Sequence, residues 1–196
     1  KGVSYLGLDL SSKAVEYAKK EGINVLEQTI EDYAFNNIKK HDVIVTFQVL
    51  EHIANIDSFI ESSLQVLKKD GLFIIAVPNN STFIEDCQNH LLNLPPHHTL
   101  HWDPRSLNYI AQKYNLNIVD FYQEKLTNVH SIWYQNIKLI KKIRRFFGLE
   151  IKSINTSFFS KLINILAFVL VKLFNKPALI NNEDGMTMAI VFQNKN

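Results

Sequence analysis

Two apolar runs, residues 42–47 and 72–77, constrain the fold of this 196-residue chain more than any other feature. Both are nearly continuous in apolar residues, which is typical of strands that are buried on both faces of a parallel sheet. Asp57 can cap a helix between them, and Gly71 is expected to form the turn that ends it. A strand, a helix and a second strand joined by short connections predict one unit of an open α/β sheet.

Further strands and helices are predicted on both sides of this unit. Residues 3–9 form a short apolar run that ends in an acid, and Ser11 or Ser12 can cap the helix that follows. A further strand is expected to begin at Ile23. Because strands and helices alternate, ligands are expected beyond the carboxyl ends of the strands.

The second half of the chain begins with a helix signal at Asp103, an acidic cap that is followed by proline at the first helical position. Strands are predicted at residues 116–122 and 186–192. The only cysteine, Cys87, cannot form an internal disulfide, and its place on an apolar stripe predicts a core residue. This cysteine usage is typical of a reducing compartment, so we expect the cytoplasm.

Charge is distributed unevenly, with a net charge of −6 over residues 1–104 and +8 over residues 105–196. Two helices are expected between residues 129 and 176, the first basic and the second, residues 158–174, strongly apolar. The longest apolar run of the second helix is too short for a bilayer span, which needs about 20 residues. Peripheral membrane contact through residues 138–174, a lid, a dimer surface and an ordinary core helix are all open interpretations.

Four segments carry a resemblance to a known family: GLDLS at residues 7–11, ED at 31–32, DVIVTFQVLEH at 42–52 and LKKDGLFIIAVPN at 67–79. In this order they resemble the class I S-adenosylmethionine-dependent methyltransferases, particularly the small-molecule O-methyltransferase branch. The resemblance implies a Rossmann-like, mostly parallel sheet with flanking helices and an antiparallel last strand.

The resemblance also implies the domain organisation. Residues 1–196 are expected to form one methyltransferase-like domain, with a core at 1–125, a helical insertion or lid at 126–180 and a final strand at 181–196. In the family, a first strand and a glycine-rich loop precede the point where this sequence begins. We therefore expect that strand to be missing from between the strands that end at Asp9 and Phe47, and the chain to be a fragment.

The same resemblance implies a set of cofactor-binding residues. Asp9, with Leu10 beside it, ends the second family strand, where a carboxylate accepts hydrogen bonds from both ribose hydroxyls. An acid at this position also serves NAD and can cap a helix, so Asp9 alone does not identify the cofactor. Phe47 and Gln48 end the fourth family strand and are expected to face the methionine part of S-adenosylmethionine.

Two neighbouring acidic residues are expected to contact the adenine ring of the cofactor. Glu31 and Asp32 fall in the loop after the third family strand, where the family often places an acid that accepts from the adenine amino group. Ile30 is expected to pack on the ring. The alternative is a pair of solvated loop acids.

Glu51 and His52 resemble part of a Glu-x-x-Glu-His pattern that binds a divalent metal in some methyltransferases. Here the first acid is replaced by Gln48, a neutral and weaker ligand. We therefore predict no metal site and favour a short helix whose Glu51 and His52 orient the site through hydrogen bonds, with metal binding left as the weaker alternative.

A segment rich in histidine and proline, residues 95–102, precedes the Asp103 helix signal. A histidine in this region often borders the acceptor pocket of similar methyltransferases. Histidine takes a proton from a hydroxyl near neutral pH, so His98 and His101, together with His52, are the candidate bases. A surface loop whose histidines hydrogen-bond locally is the alternative interpretation.

The sequence therefore predicts methyl transfer from S-adenosylmethionine to a small-molecule acceptor, with a hydroxyl oxygen as the expected nucleophile. No nucleic-acid-binding module is recognisable. Two rival functions stay open: a Rossmann-type enzyme that uses NAD, and a non-catalytic methyltransferase-like module that binds membranes or partners.

Overall fold

The computed structural model describes residues 2–174 and 184–195. Residues 175–183, which the predicted lid and final strand include, lie outside the described residues. The described strands are β1 Gly7–Asp9, β2 Val25–Glu27, β3 His41–Phe47, β4 Leu67–Pro78, β5 Leu116–Lys125 and β6 Asp184–Asn194. The α-helices are α1 Ser12–Lys20, α2 Ile30–Ala34, α3 Ile56–Val66, α4 Pro104–Lys113, α5 Asn128–Phe146 and α6 Phe158–Phe174.

The strands form two sheets. β1 pairs with β2 in parallel, whereas the larger sheet has the order β3-β4-β6-β5. β3 and β4 are parallel, and β6 runs antiparallel to both of its neighbours. The prediction of a Rossmann-like sheet with flanking helices and an antiparallel last strand is confirmed.

β1 and β3 are each paired on one side only, β1 with β2 and β3 with β4, and they belong to different sheets. A small apolar cluster of Tyr33, Ala34 and Val66 joins the sheets, because Leu8 of β1 and Ile44 of β3 both pack against it. A further family strand between β1 and β3 stays a prediction.

The position of β3 corrects one prediction. The apolar run at residues 42–47 was expected to be buried on both faces, but the alternate residues Val43, Val45 and Phe47 are half exposed. Thr46 is buried and Ile44 partly buried on the opposite face. The apolar residues therefore predicted the strand correctly. Its burial depends instead on which segments of the fold pack against β3.

The main core lies between β4, β6 and the helices α3 and α4. Fully buried Phe73, Phe192 and Leu107 belong to this cluster. The Asp103 cap prediction is confirmed, since its carboxylate accepts from the Ser106 backbone N–H in a capping box. The prediction that Asp57 caps α3 is wrong, because Asn55 is the cap and the Asp57 carboxylate instead pairs with Lys113 at 2.5 Å.

The prediction that Gly71 forms the turn that ends α3 is wrong, because α3 ends at Val66 and the left-handed residue is Asp70, within β4, with φ of 60°. Gly71 is required for a different reason, close packing. A Cβ atom at Gly71 would lie 2.8 Å from the Leu67 side chain and 2.9 Å from the Lys68 carbonyl oxygen.

We therefore expect Gly71→Ala to lower the free energy of unfolding by about 1–3 kcal/mol, the usual cost of overpacking. Gly2→Ala is the matched control, because a Cβ atom there meets no heavy atom within 4 Å. Chemical denaturation of both variants measures the difference. Equal stability of the two variants would contradict this packing argument.

Candidate active site

Asp9 lies at the carboxyl end of β1 with an exposed side chain. One carboxylate oxygen accepts from the Ser11 backbone N–H at 2.7 Å. The cap of α1 is Ser11, whose hydroxyl accepts from the Ala14 backbone N–H. The interpretation of Asp9 as a helix cap is therefore wrong. Its side chain is held at the strand end and open to a ligand, and Leu10 beside it is 70% exposed.

Glu31 and Asp32 lie in the first turn of α2 rather than in the predicted loop. Thr29 caps this helix, because its hydroxyl accepts from the Asp32 backbone N–H at 3.0 Å. An acid in a first helical turn is favoured by the helix dipole, which gives both carboxylates a structural reason to be there. Ile30 packs against the cluster that joins the two sheets.

The end of β3 has an unusual backbone. Phe47 is 61% exposed, and Gln48 has a left-handed φ of 55°, which is uncommon for a residue other than glycine. The Gln48 backbone N–H donates to the Ala76 carbonyl at 2.8 Å, so pairing with β4 holds the turn. The chain then enters a short 3-10 turn, Leu50–His52.

That turn places Glu51 inside the protein. Glu51 is only 1% exposed, and its Oε2 atom has no hydrogen-bond partner among the described residues. Burial raises the pKa of the Glu51 carboxyl above its usual value. An unpartnered buried carboxylate oxygen is costly, and it calls for a proton or a cation.

His52 is oriented by a backbone carbonyl. Its Nδ1 atom lies 2.7 Å from the His97 carbonyl oxygen. Because a carbonyl can only accept, the His52 Nδ1 atom carries a proton and donates it to this bond. Nε2 is therefore the ring nitrogen that a ligand can reach.

His98 is oriented in a similar way by Asn93. The His98 Nδ1 atom lies 3.0 Å from Asn93 Oδ1, and the same amide donates through Nδ2 to Asn80. Nδ1 is again the donor, which leaves a lone pair on Nε2. Burial, followed by the nearby histidines His52, His97, His101 and His90, lowers the pKa of His98 to about 4. His98 is therefore a neutral imidazole at neutral pH.

The fold brings Glu51, His52 and His98 together. One ligand atom from each lies within 4.8 Å of those of the other two. The rings of His52 and His98 meet edge to face, with centroids 4.8 Å apart. Two imidazole lone pairs and a carboxylate oxygen suit a divalent cation, and metal-bound histidines typically donate their other N–H as these do. The residues present fit such an ion.

His101 has a different environment from the other two candidate bases. Its Nε2 atom donates to the Asn93 backbone carbonyl at 2.7 Å, and the residue lines a cleft of about 190 Å³ together with His90 and Cys87. Cys87 is buried, and burial raises the pKa of its thiol to about 12. The prediction of Cys87 as a core residue is confirmed.

Asn93 is a site residue that the sequence did not reveal. It is buried, its side chain orients His98, and its backbone carbonyl orients His101. It lies in a short 3-10 turn, Leu91–Asn93, which no periodic pattern of apolar residues in the sequence predicts.

A larger cleft of about 500 Å³ opens beside the carboxyl end of β4. Its lining is mostly polar, and includes Asn79 at the end of β4 and Gln123 of β5. Tyr134, Lys138 and Lys141 of α5 line another part of it. Neither His52 nor His98 is among its lining residues. The predicted helical insertion thus contributes to a cleft at the ligand-binding end of the sheet.

A family model described as a methyltransferase domain matches residues 1–120. The chain belongs to this methyltransferase family. The matched range includes β1 to β4 and the Glu51, His52 and His98 cluster. Because the chain belongs to this family, the alternative of a Rossmann-type enzyme that uses NAD is wrong.

Curated relatives agree with this family. The chain is 31% identical over 129 residues to a ubiquinone biosynthesis O-methyltransferase of Pelagibacter ubique, covering 60% of this chain and 54% of that protein. It is 37% identical over 86 residues to the enzyme of the same name from Rickettsia prowazekii, covering 41% and 33%. The chain thus matches about half of the first relative and a third of the second.

Solved structures support the fold. A SAM-dependent methyltransferase from Archaeoglobus fulgidus superposes with a TM-score of 0.58 at 16% identity, covering 96% of this chain and 75% of that one. The agreement extends over nearly the whole chain, although the sequences have diverged widely.

Proposed function

We propose that this methyltransferase domain transfers a methyl group from S-adenosylmethionine to a hydroxyl oxygen of a small molecule. The observation that carries the proposal is the exposed carboxylate of Asp9 at the end of β1 in a chain of this family. The O-methyltransferase names of the two curated relatives support oxygen as the acceptor atom.

The cofactor is proposed to bind along the carboxyl ends of β1, β2 and β3. Asp9 accepts the ribose hydroxyls, because a carboxylate offers two oxygens to two donors. Glu31 and Asp32 in the first turn of α2 lie on the adenine side. Phe47 and Gln48, at the carboxyl end of β3, are proposed to face the methionine part, and the exposed Phe47 side chain is available for contact with it.

The reaction is an in-line displacement. The acceptor oxygen attacks the methyl carbon, the carbon–sulfur bond breaks with its electron pair going to sulfur, and the hydroxyl proton passes to bulk water. Such a step needs alignment of the acceptor and exclusion of water more than covalent help from the protein.

The cluster of Glu51, His52 and His98 is proposed to hold a divalent cation. Bound there, a cation supplies Lewis acidity that favours the ionised form of an acceptor hydroxyl. Direct proton abstraction by His98 is less suitable, because a group with a pKa of about 4 is a weak base at neutral pH. Glu51 contributes a negative charge in a buried position, and the two histidines contribute neutral ligands of fixed orientation.

The polar cleft beside β4, which neither His52 nor His98 lines, is proposed to receive the part of the acceptor away from its reacting hydroxyl. Its hydrogen-bonding residues, Asn79 and Gln123 among them, suit a molecule that carries several polar groups. Tyr134 of α5 supplies an aromatic wall. In this arrangement α5 acts as the lid that the sequence suggested.

Titration of S-adenosylhomocysteine by calorimetry tests the proposal. Two proteins are compared: this chain, and a chimera in which a strand and glycine-rich loop from the P. ubique relative are fused ahead of Gly2. We expect the chimera to bind more tightly, since the added strand is proposed to pair with the open edges of β1 and β3. Binding by neither protein would contradict the proposal.

In whichever form binds, Asp9→Ala is expected to weaken the affinity for S-adenosylhomocysteine by about 1–3 kcal/mol, because ribose donors lose their acceptor. Asp42→Ala is the matched control: Asp42 lies at the amino end of β3, with an exposed carboxylate paired to Lys68. Unchanged affinity of Asp9→Ala would remove Asp9 from the site.

A non-catalytic methyltransferase-like module is the second candidate function. The exposed apolar surface of α6 favours it, because such a surface suits binding as well as catalysis. Failure of both proteins to bind the cofactor, combined with intact folding, would favour this candidate.

A further inference from the structure

α6 leaves most of its large apolar side chains exposed. Facing α5 are Ser160, Ile163, Ala167 and Val171. On the opposite side, the helical spacing places Leu162, Ile165, Leu166, Val169 and Leu173, each at least 46% exposed. This is the reverse of a surface helix in an ordinary domain, whose bulky apolar residues face the core.

Packing on α5 explains how the helix is held in this orientation. The buried Arg144 guanidinium of α5 donates to the Ser160 hydroxyl at 2.6 Å and to the Glu150 carbonyl at 3.3 Å. A hydrogen-bonded arginine at this junction fixes the inward face of α6, because releasing it would leave buried guanidinium N–H groups without these acceptors. The apolar face is therefore turned outward by a specific contact.

Cations border this outward face. Lys161 and Lys172 are eleven residues apart, about three helical turns, and so lie on the same flank of α6. Lys138, Lys142 and Arg145 form an exposed stripe along α5 at the spacing of one helix side. Neither helix contains an acidic residue.

We infer that α6, with α5 behind it, docks onto the surface of an anionic lipid bilayer. An apolar face with flanking lysines satisfies both requirements of interfacial binding: burial of apolar surface, and attraction to negative headgroups. A second copy of the chain is a poorer occupant. Two such surfaces face to face bring lysines against lysines, with no acid on either helix to pair with them.

The proposed contact is peripheral. Among the helices of residues 2–174, none has the length and hydropathy needed to cross a bilayer. α6 has 17 residues and two lysines, and it is expected to lie in the plane of the interface with its outward side chains in the acyl boundary.

Vesicle flotation tests the inference without relying on methyl transfer. The vesicles are pure phosphatidylcholine, or phosphatidylcholine with about one third phosphatidylglycerol. We expect the chain to float with the anionic vesicles and to remain largely unbound with the neutral ones. Lys161→Glu/Lys172→Glu and Ile165→Glu are each expected to reduce the bound fraction about tenfold, because one removes charge attraction and the other apolar insertion.

Lys19→Glu/Lys69→Glu is the matched control. It changes the net charge by the same amount on exposed residues of α1 and β4, and it should bind anionic vesicles as the unaltered chain does. Circular dichroism confirms folding of every variant. Three results would overturn the inference: no binding to anionic vesicles, equal loss in the control, or a concentration-dependent dimer in sedimentation that Ile165→Glu dissolves.

Discussion

We expect His98→Ala to lower kcat for methyl transfer by about 10²–10⁴-fold, because it removes one of the three groups proposed to hold a cation whose Lewis acidity contributes several kcal/mol. Alanine lacks the Nε2 lone pair that this role requires. Transfer of a labelled methyl group from S-adenosylmethionine to catechol and monosaccharide acceptors measures the rate, in whichever form of the chain binds the cofactor.

His97→Ala is the matched control for this prediction. His97 is the neighbouring residue and also an imidazole, but it orients His52 through its backbone carbonyl, which alanine keeps. Its rate should stay within about tenfold of the unaltered chain. A His98→Ala rate as high as that of His97→Ala would remove His98 from the reaction.

The second large effect concerns the metal. Mn²⁺ or Zn²⁺ at about 100 times its dissociation constant is expected to stabilise the chain by about 2.7 kcal/mol, because the ion binds only the folded cluster. For a domain of this size that corresponds to a rise in Tm of about 5–10 °C. Glu51→Gln should abolish most of the rise, since it removes the charged ligand and leaves a weak one.

Glu61→Gln is the control, because it changes an exposed acid of α3 to the same amide. Thermal unfolding with and without each ion measures the effect. If the ion does not raise the Tm of the unaltered chain, the metal proposal is contradicted. If it raises the Tm of Glu51→Gln by the same amount, Glu51 is not a ligand.

The stability of the metal-free chain should also depend on pH through Glu51. Its folded-state pKa is raised by burial, so the folded state holds the proton to a higher pH than the unfolded state does. The contribution to stability is therefore complete below the unfolded pKa and is lost as the pH rises through the folded value. Glu51→Gln removes this loss, so its metal-free stability should exceed that of the unaltered chain increasingly as the pH rises.

The order of elements could be predicted from the sequence because local signals specify it. The apolar run of β3, the capping box at Asp103 and the two helices α5 and α6 all occur where short-range patterns placed them. Exposure was less predictable. Val43 and Val45 have the residue type of a buried strand, but coverage depends on which segments pack beside β3, and that information is not local.

The candidate site also contains residues that local sequence signals predict and residues that they do not. Asp9 and Gln48 follow from their positions at the ends of strands. The meeting of Glu51 and His52 with His98 does not, because it depends on how residues 79–103 fold back over the turn after β3. That path is held by the Thr99 backbone N–H, which donates to the Glu51 carbonyl at 2.9 Å, and by the His97 carbonyl, which accepts from His52 Nδ1 at 2.7 Å. Hydrogen bonds between segments 40 residues or more apart leave no pattern along the chain.

The open edge of β3 has a consequence for association. Beside half-exposed Val43, Val45 and Phe47, the backbone of this edge has no described strand to pair with. Edges of this kind recruit extended polypeptide by β-augmentation, whether from the same molecule, another copy or an unrelated peptide. A segment that paired with this edge of β3 would therefore also reduce aggregation, because the edge could no longer pair with a strand of another chain.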